Sequence, residues 1–199
     1  MRRKALVPIV LVVAALVFTA LAAAAVIRGT RGDDNLVGTP NSDLIRGFAG
    51  NDTILGNGGT DVMFGGPGND TVTGGNGFDV VYGQAGDDTI RGGDGADQLY
   101  GNQGNDEIRG KEGPDTIYGG PGNDTLYAGA GQDHVYGGQG DDTLWAIAKD
   151  GDMDFLDCGP GFHDVAHVRE GEKTSVGNCE QVIVAPDATT SPSEPGDLG

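Results

Sequence analysis

Thirteen aspartates stand at an unbroken nine-residue spacing: Asp34, Asp43, Asp52, Asp61, Asp70, Asp79, Asp88, Asp97, Asp106, Asp115, Asp124, Asp133 and Asp142. An apolar side chain lies two residues after each, from Leu36, Ile45 and Ile54 to Val135 and Leu144. Glycine lies two residues before every one except Asp43, where Asn41 takes the place. A register held this long dictates a stack of copies, in which each unit buries its face against the next.

The unit Gly119-Gly120-Pro121-Gly122-Asn123-Asp124-Thr125-Leu126-Tyr127 shows the logic. Its first six residues are turn chemistry: glycines that accept positive φ, then an Asx pair that tolerates tight turns. Its last three read out-in-out, a minimal strand with one buried side chain. Glycine turns let carbonyl oxygens point inward, and each turn adds a carboxylate. Such a set of hard oxygens suits calcium, which takes six to eight ligands in a tolerant geometry, better than magnesium.

An alternation doubles the repeat to eighteen residues. The residue before every second aspartate is Asn or Asp: Asp33, Asn51, Asn69, Asp87, Asn105, Asn123 and Asp141. The interleaved set, Ser42, Thr60, Phe78, Ala96, Pro114 and Gln132, follows no such rule. Two turns per coil therefore make two chemically distinct edges. Stacking them predicts six turn-to-turn intervals on the first edge and five on the second, for at most about 11 internal calcium ions.

The pattern resembles the RTX (hemolysin-type) calcium-binding nonapeptide repeat, Gly-Gly-x-Gly-x-Asp-x-apolar-x, across residues 32–147. The resemblance implies an all-β fold: a parallel β-roll, a right-handed solenoid of 18-residue coils. It implies calcium at both edges, held by the thirteen aspartates and by backbone carbonyls. The carbonyl candidates are Gly65, Gly66, Gly68, Gly83, Gly86, Gly101, Gly104, Gly119, Gly120, Gly122, Gly137, Gly138 and Gly140.

Charge points the same way. The formal net charge is −18, and its periodic placement argues for ligands rather than a solubilising coat. One buried residue per nine is a thin core, so the chain is expected to fold only as calcium binds.

Residues 1–25 read as a secretory signal: Arg2-Arg3-Lys4, an apolar run from Ala5, then small residues with Ala-x-Ala options. An uncleaved membrane anchor is the alternative reading. Residues 26–31 are expected to be a linker and 148–185 a cap that closes the roll, in which Asp154-Phe155-Leu156 and Asp164-Val165-Ala166 read as degenerate repeats and Gln181-Val182-Ile183-Val184 as a final strand. Cys158 and Cys179, the only cysteines, are expected to pair in an exported chain. Residues 186–199, rich in Pro, Ser, Thr and Asp, read as a disordered tail.

Several function classes fall away. There is no His-Glu-x-x-His, no Gly-x-Ser-x-Gly and no stretch outside the repeats to hold a catalytic domain, so no enzyme is expected. A pI near 4.1 argues against nucleic acid, whose phosphates would be repelled. The Asp150–Asp154 segment opens like an EF-hand but has Phe155 where that loop needs glycine. His163 and His167 have the spacing of a helical zinc pair, but in a segment that reads as strand. Ice binding is left as a minor option, because Glu107 interrupts the outward threonine row.

The expectation is a secreted, monomeric calcium-binding protein with a structural or adhesive role at the cell surface or matrix, meeting a glycan or protein partner there. Phe64, Tyr82, Tyr100, Tyr118 and Tyr136 recur three residues after alternate aspartates and predict an outward aromatic ladder. A glycan-binding module that uses this ladder is the alternative.

Overall fold

A computed structural model describes residues 24–146 and 150–185. Two short strands per coil open the chain: β1 (Val26–Arg28), β2 (Asn35–Val37) and β3 (Leu44–Arg46). Ten six-residue strands follow: β4 (Thr53–Gly58), β5 (Val62–Pro67), β6 (Thr71–Asn76), β7 (Val80–Ala85), β8 (Thr89–Asp94), β9 (Gln98–Gln103), β10 (Glu107–Glu112), β11 (Thr116–Pro121), β12 (Thr125–Ala130) and β13 (His134–Gln139). The series closes with β14 (Thr143–Ala146), β15 (Phe155–Asp157), β16 (Val165–Arg169), β17 (Ser175–Gly177) and β18 (Gln181–Ala185). There is no helix among the described residues.

Odd-numbered strands form one nine-stranded sheet and even-numbered strands the other, each paired in parallel with the strand one coil away. Partners differ by eighteen residues through the repeats, as in Ile54↔Val72 and Tyr82↔Tyr100. This is the expected parallel roll.

The strands are longer than the out-in-out triplet suggests. Asn57↔Gly75 and Gly58↔Asn76 pair in register beyond the apolar residue. Glycine is a poor strand former alone, but identical backbones one coil apart keep the hydrogen-bond ladder running through it. Stacking overrides local propensity here.

Inside, one apolar side chain per strand forms a continuous core. Ile45, Met63, Val81, Leu99, Ile117 and Val135 come from one sheet, and Ile54, Val72, Ile90, Ile108, Leu126 and Leu144 from the other, all essentially inaccessible. No unit could bury its residue without neighbours.

The N-terminal end departs from expectation. Residues 26–31, read as a linker, begin with β1, which pairs with β3 and extends the first sheet by one coil. The period carried no aspartate there, but Ile27 continues the inward row onto Ile45. In the segment expected as a cap, the two degenerate repeats and the final strand are β15, β16 and β18, and with β17 they prolong both sheets: His134 pairs with Phe155, and Thr143 with Val165. Longer turns absorb the broken spacing while Leu156 and Ala166 keep the core row filled. Cys158 and Cys179 are bonded, as expected, and tie this end together. The expected signal segment, apart from Ala24 and Ala25, and the expected tail, 186–199, lie outside the described residues.

Candidate metal centre

Each turn delivers its aspartate side chain into the stack. The Oδ1 atom accepts a hydrogen bond from the backbone N–H of the aspartate one coil earlier. On the first edge Asp52, Asp70, Asp88 and Asp106 donate to Asp70, Asp88, Asp106 and Asp124 at 2.7–2.8 Å. On the second edge Asp61, Asp79, Asp97 and Asp115 donate to Asp79, Asp97, Asp115 and Asp133 at 2.8 Å. Each carboxylate therefore links two coils.

The other oxygen has no partner. Oδ2 of Asp52, Asp61, Asp70, Asp79, Asp88, Asp97, Asp106, Asp115, Asp124, Asp133 and Asp142 is buried and accepts nothing. A buried acceptor without a donor costs about 1–3 kcal/mol, and more for a charged group. Eleven such atoms in two files mark a place built for something electropositive.

Backbone carbonyls share that space. A Cβ on Gly83 would lie 2.3 Å from Asp88 Oδ2 and 2.9 Å from the Gly101 carbonyl oxygen. Gly65, Gly101, Gly119 and Gly137 repeat this cradle beside Asp70, Asp106, Asp124 and Asp142. Two residues before the aspartate the constraint is conformational too. Gly104 has φ +134°, and a Cβ there would stand 2.0 Å from the Gly86 carbonyl oxygen. The turn glycines are thus required for close approach of successive coils. Gly66, Gly68, Gly86, Gly120, Gly122, Gly138 and Gly140 lie in the same stacked turns at positive φ.

Burial raises these carboxyls above their ordinary value of 3.8. Asp88, Asp124 and Asp133 are pushed up to about 7, Asp115 to about 8, and Asp61, Asp97, Asp106 and Asp142 to about 6. Desolvation is the largest cause in every case. The N–H bond from the preceding coil partly offsets it, and neighbouring carboxylates add to it for most of them. A divalent cation would reverse this, since it favours the anion.

The residues fit calcium. Among the described residues no three metal-ligating side chains converge, so a cation would be held by carboxylates from stacked turns together with backbone carbonyls. That is an all-oxygen set on flexible glycine backbone, the donor chemistry calcium prefers.

Two of the thirteen expected ligands are arranged differently. Asp34 Oδ2 accepts from the N–H of Thr30 at 2.6 Å and from its hydroxyl at 3.0 Å. Asp43 Oδ2 accepts from the Thr39 N–H at 2.5 Å, while its Oδ1 accepts from the Thr39 hydroxyl and the Ala25 N–H. Burial pushes Asp43 up, but these donors together outweigh it and hold the carboxyl below its ordinary value. Later turns on the first edge carry Phe48, Gln84 or Asn102 at positive φ, or glycine, where Thr30 stands. A β-branched threonine resists that region, so the first coil closes its turns with its own hydrogen bonds. The signal was legible as Thr30 and Thr39 in place of the repeat's second glycine.

The ladder also runs past the thirteenth aspartate. Asp133 donates to Asp154 at 3.1 Å and Asp142 to Asp164 at 2.7 Å, and Asp164 donates to Glu180 at 2.8 Å. Asp164 Oδ2 is again buried and unpartnered. These residues are off the nine-residue register, which is why period counting passed over them as ligands. The His163 ring lies 3.1 Å from Asp141, whereas the His167 ring stacks on Trp145 at 3.6 Å, so the two histidines do not form a zinc pair.

The profile of the RTX calcium-binding nonapeptide repeat matches the chain in overlapping segments, 28–63, 64–99, 73–108, 82–117, 100–134 and 109–144. More than half of the sequence is covered, and the chain belongs to this family of calcium-binding repeats. A comparison with curated proteins returned no match.

Proposed function

We propose that this member of the RTX calcium-binding repeat family is exported, folds as calcium fills its turns, and serves a structural or adhesive role at the cell surface or in the matrix. The observation that carries the metal-coupled folding is the double file of buried, unpartnered Oδ2 atoms. Without a cation each such carboxylate must hold a proton or bear an uncompensated charge. With one, two carboxylates and the adjoining carbonyls are satisfied together, and binding free energy becomes folding free energy. Omitting the first coil, whose turns Thr30 and Thr39 close, leaves about nine intervals between successive repeat turns, five on the first edge and four on the second. Asp154 and Asp164 offer one further interval on each edge.

Export is supported by the basic and apolar N-terminal segment and by where calcium is plentiful, since it is scarce inside cells. A single chain stacks its own coils and needs no second copy to complete a turn. Circular dichroism of residues 26–199, stripped with chelator and titrated with calcium or magnesium, tests the reading. A coil-to-β transition driven by calcium alone supports it, and full β structure in chelator at neutral pH overturns it.

A further inference from the structure

Strands β5, β7, β9, β11 and β13 contain no Asp, Glu, Lys or Arg, in a chain of formal charge −18. The opposite sheet is also uncharged at β4, β6, β12 and β14, but β8, with Arg91 and Asp94, and β10, with Glu107, Arg109, Lys111 and Glu112, break its run. An uncharged face on so acidic a protein is a selective feature, because charge is what otherwise keeps its surface solvated.

The outward row of this face is the aromatic ladder. Successive rings from Phe64 to Tyr136 lie 4.8–5.1 Å apart and within 11° of parallel. Their faces are spent on one another, so they present edges and hydroxyls. Beside them runs a shallow groove of about 370 Å³ against Tyr82, Gln84 and Asn102. It continues through Asn102 and Gln103 into one of about 270 Å³ against Tyr100 and Tyr118.

Two groove residues sit in a conformation that side chains disfavour. Gln84 has φ +90° and Asn102 φ +74°; in other coils the same place holds Phe48, also at positive φ, or Gly66, Gly120 and Gly138. Strain of this kind is kept where a side chain has work to do. Here it sets two amides side by side along the groove.

We propose that this face binds a neutral, hydroxyl-rich polysaccharide lying along the roll axis, across the strands. Amides and phenols both donate and accept hydrogen bonds, which matches sugar hydroxyls. No charge in the groove selects for an ionic ligand, and the acidic protein as a whole repels polyanions. The face repeats once per coil, as a polymer of identical units does. Five strands at about 4.8 Å by six residues at about 3.3 Å give about 500 Å². Doubled, that falls short of the roughly 1,200 Å² a stable protein pair buries, which argues against a second copy as the occupant. The site rests on the folded roll proposed above.

Affinity electrophoresis of the calcium-loaded protein through gels containing dextran, laminarin or polygalacturonate tests it. Retardation is expected with at least one of the two neutral glucans and not with polygalacturonate. The Q84G/N102G variant relieves the backbone strain, so its calcium-induced circular dichroism should be retained while affinity falls at least tenfold. Y100F/Y118F keeps the ring stack and should also weaken retention. No retardation by either neutral glucan, selective retardation by the polyanion, or unchanged affinity in Q84G/N102G would overturn the proposal. Retardation that persists in chelator leaves this site standing and overturns only calcium-coupled folding.

Discussion

Replacing Asp115 by asparagine should move the metal-free and calcium-loaded proteins in opposite directions. Asp115 Oδ1 accepts the Asp97 N–H at 2.8 Å, and an asparagine amide oxygen keeps that bond. The new NH₂ takes the place of the unpartnered Oδ2, beside the Ala128 carbonyl. Burial first, then the charges of Asp133 and Asp97, raise this carboxyl from 3.8 to about 8 in the metal-free fold. A raised carboxyl favours the fold below its unfolded value, and that support is lost as pH climbs through the folded value. At about 1.4 kcal/mol per pKa unit, holding Asp115 in the metal-free roll at pH 7 costs up to about 4 kcal/mol, and at pH 4 less than about 1. The neutral amide avoids the cost at any pH. In chelator, the wild-type chain should therefore gain β structure on acidification from pH 8 to 4, and Asp115→Asn should shift that transition to higher pH. With calcium the order reverses, because Asp115 serves the intervals toward both Asp97 and Asp133. Calorimetry should then find about two fewer ions and a folding midpoint at least tenfold higher in calcium. A metal-free wild type that loses β structure on acidification, or a variant whose transition moves to lower pH, would refute the electrostatic reasoning.

Gly104→Ala should destabilise the calcium form by about 3 kcal/mol or more, read from urea melts, since it adds left-handed strain to a Cβ 2.0 Å from the Gly86 carbonyl oxygen. Thr39→Val removes the hydroxyl bond to Asp43; a loss of about 1 kcal/mol is expected, with the calorimetric calcium count unchanged because that turn closes without metal. Cys158→Ser with Cys179→Ser opens a link across a sequence separation of 21, and should cost about 3 kcal/mol in thermal melts without altering calcium stoichiometry. Ile108→Ala, in a fully buried row, should cost about 2–5 kcal/mol and lower calcium cooperativity in the same titration.

Much of the roll was legible because its information is local and repeated. The nine-residue period placed every core residue from Leu36 to Leu144 except Ala128, and the alternation before the aspartates separated the two edges that β-pairing at eighteen residues confirms. The aromatic ladder followed from the same arithmetic. Its counterpart on the other sheet did not: Arg109 over Tyr127, Tyr127 against Trp145, and Trp145 on His167 mix residue types, and the last pair falls outside the period. Asp154 and Asp164 were legible as degenerate repeats, but that they and Glu180 join the ladder was not, because turns of irregular length separate them.

By itself the sequence determined the architecture and its metal chemistry, since a periodic chain of turn glycines, carboxylates and single apolar residues has one way to bury what must be buried. The tertiary structure decided which carboxylates are left wanting. Asp34 and Asp88 occupy the same place in the repeat, yet one is satisfied by Thr30 and the other keeps a buried oxygen without a donor. That difference depends on which atoms lie within 3 Å across a turn, and only the folded chain brings them there.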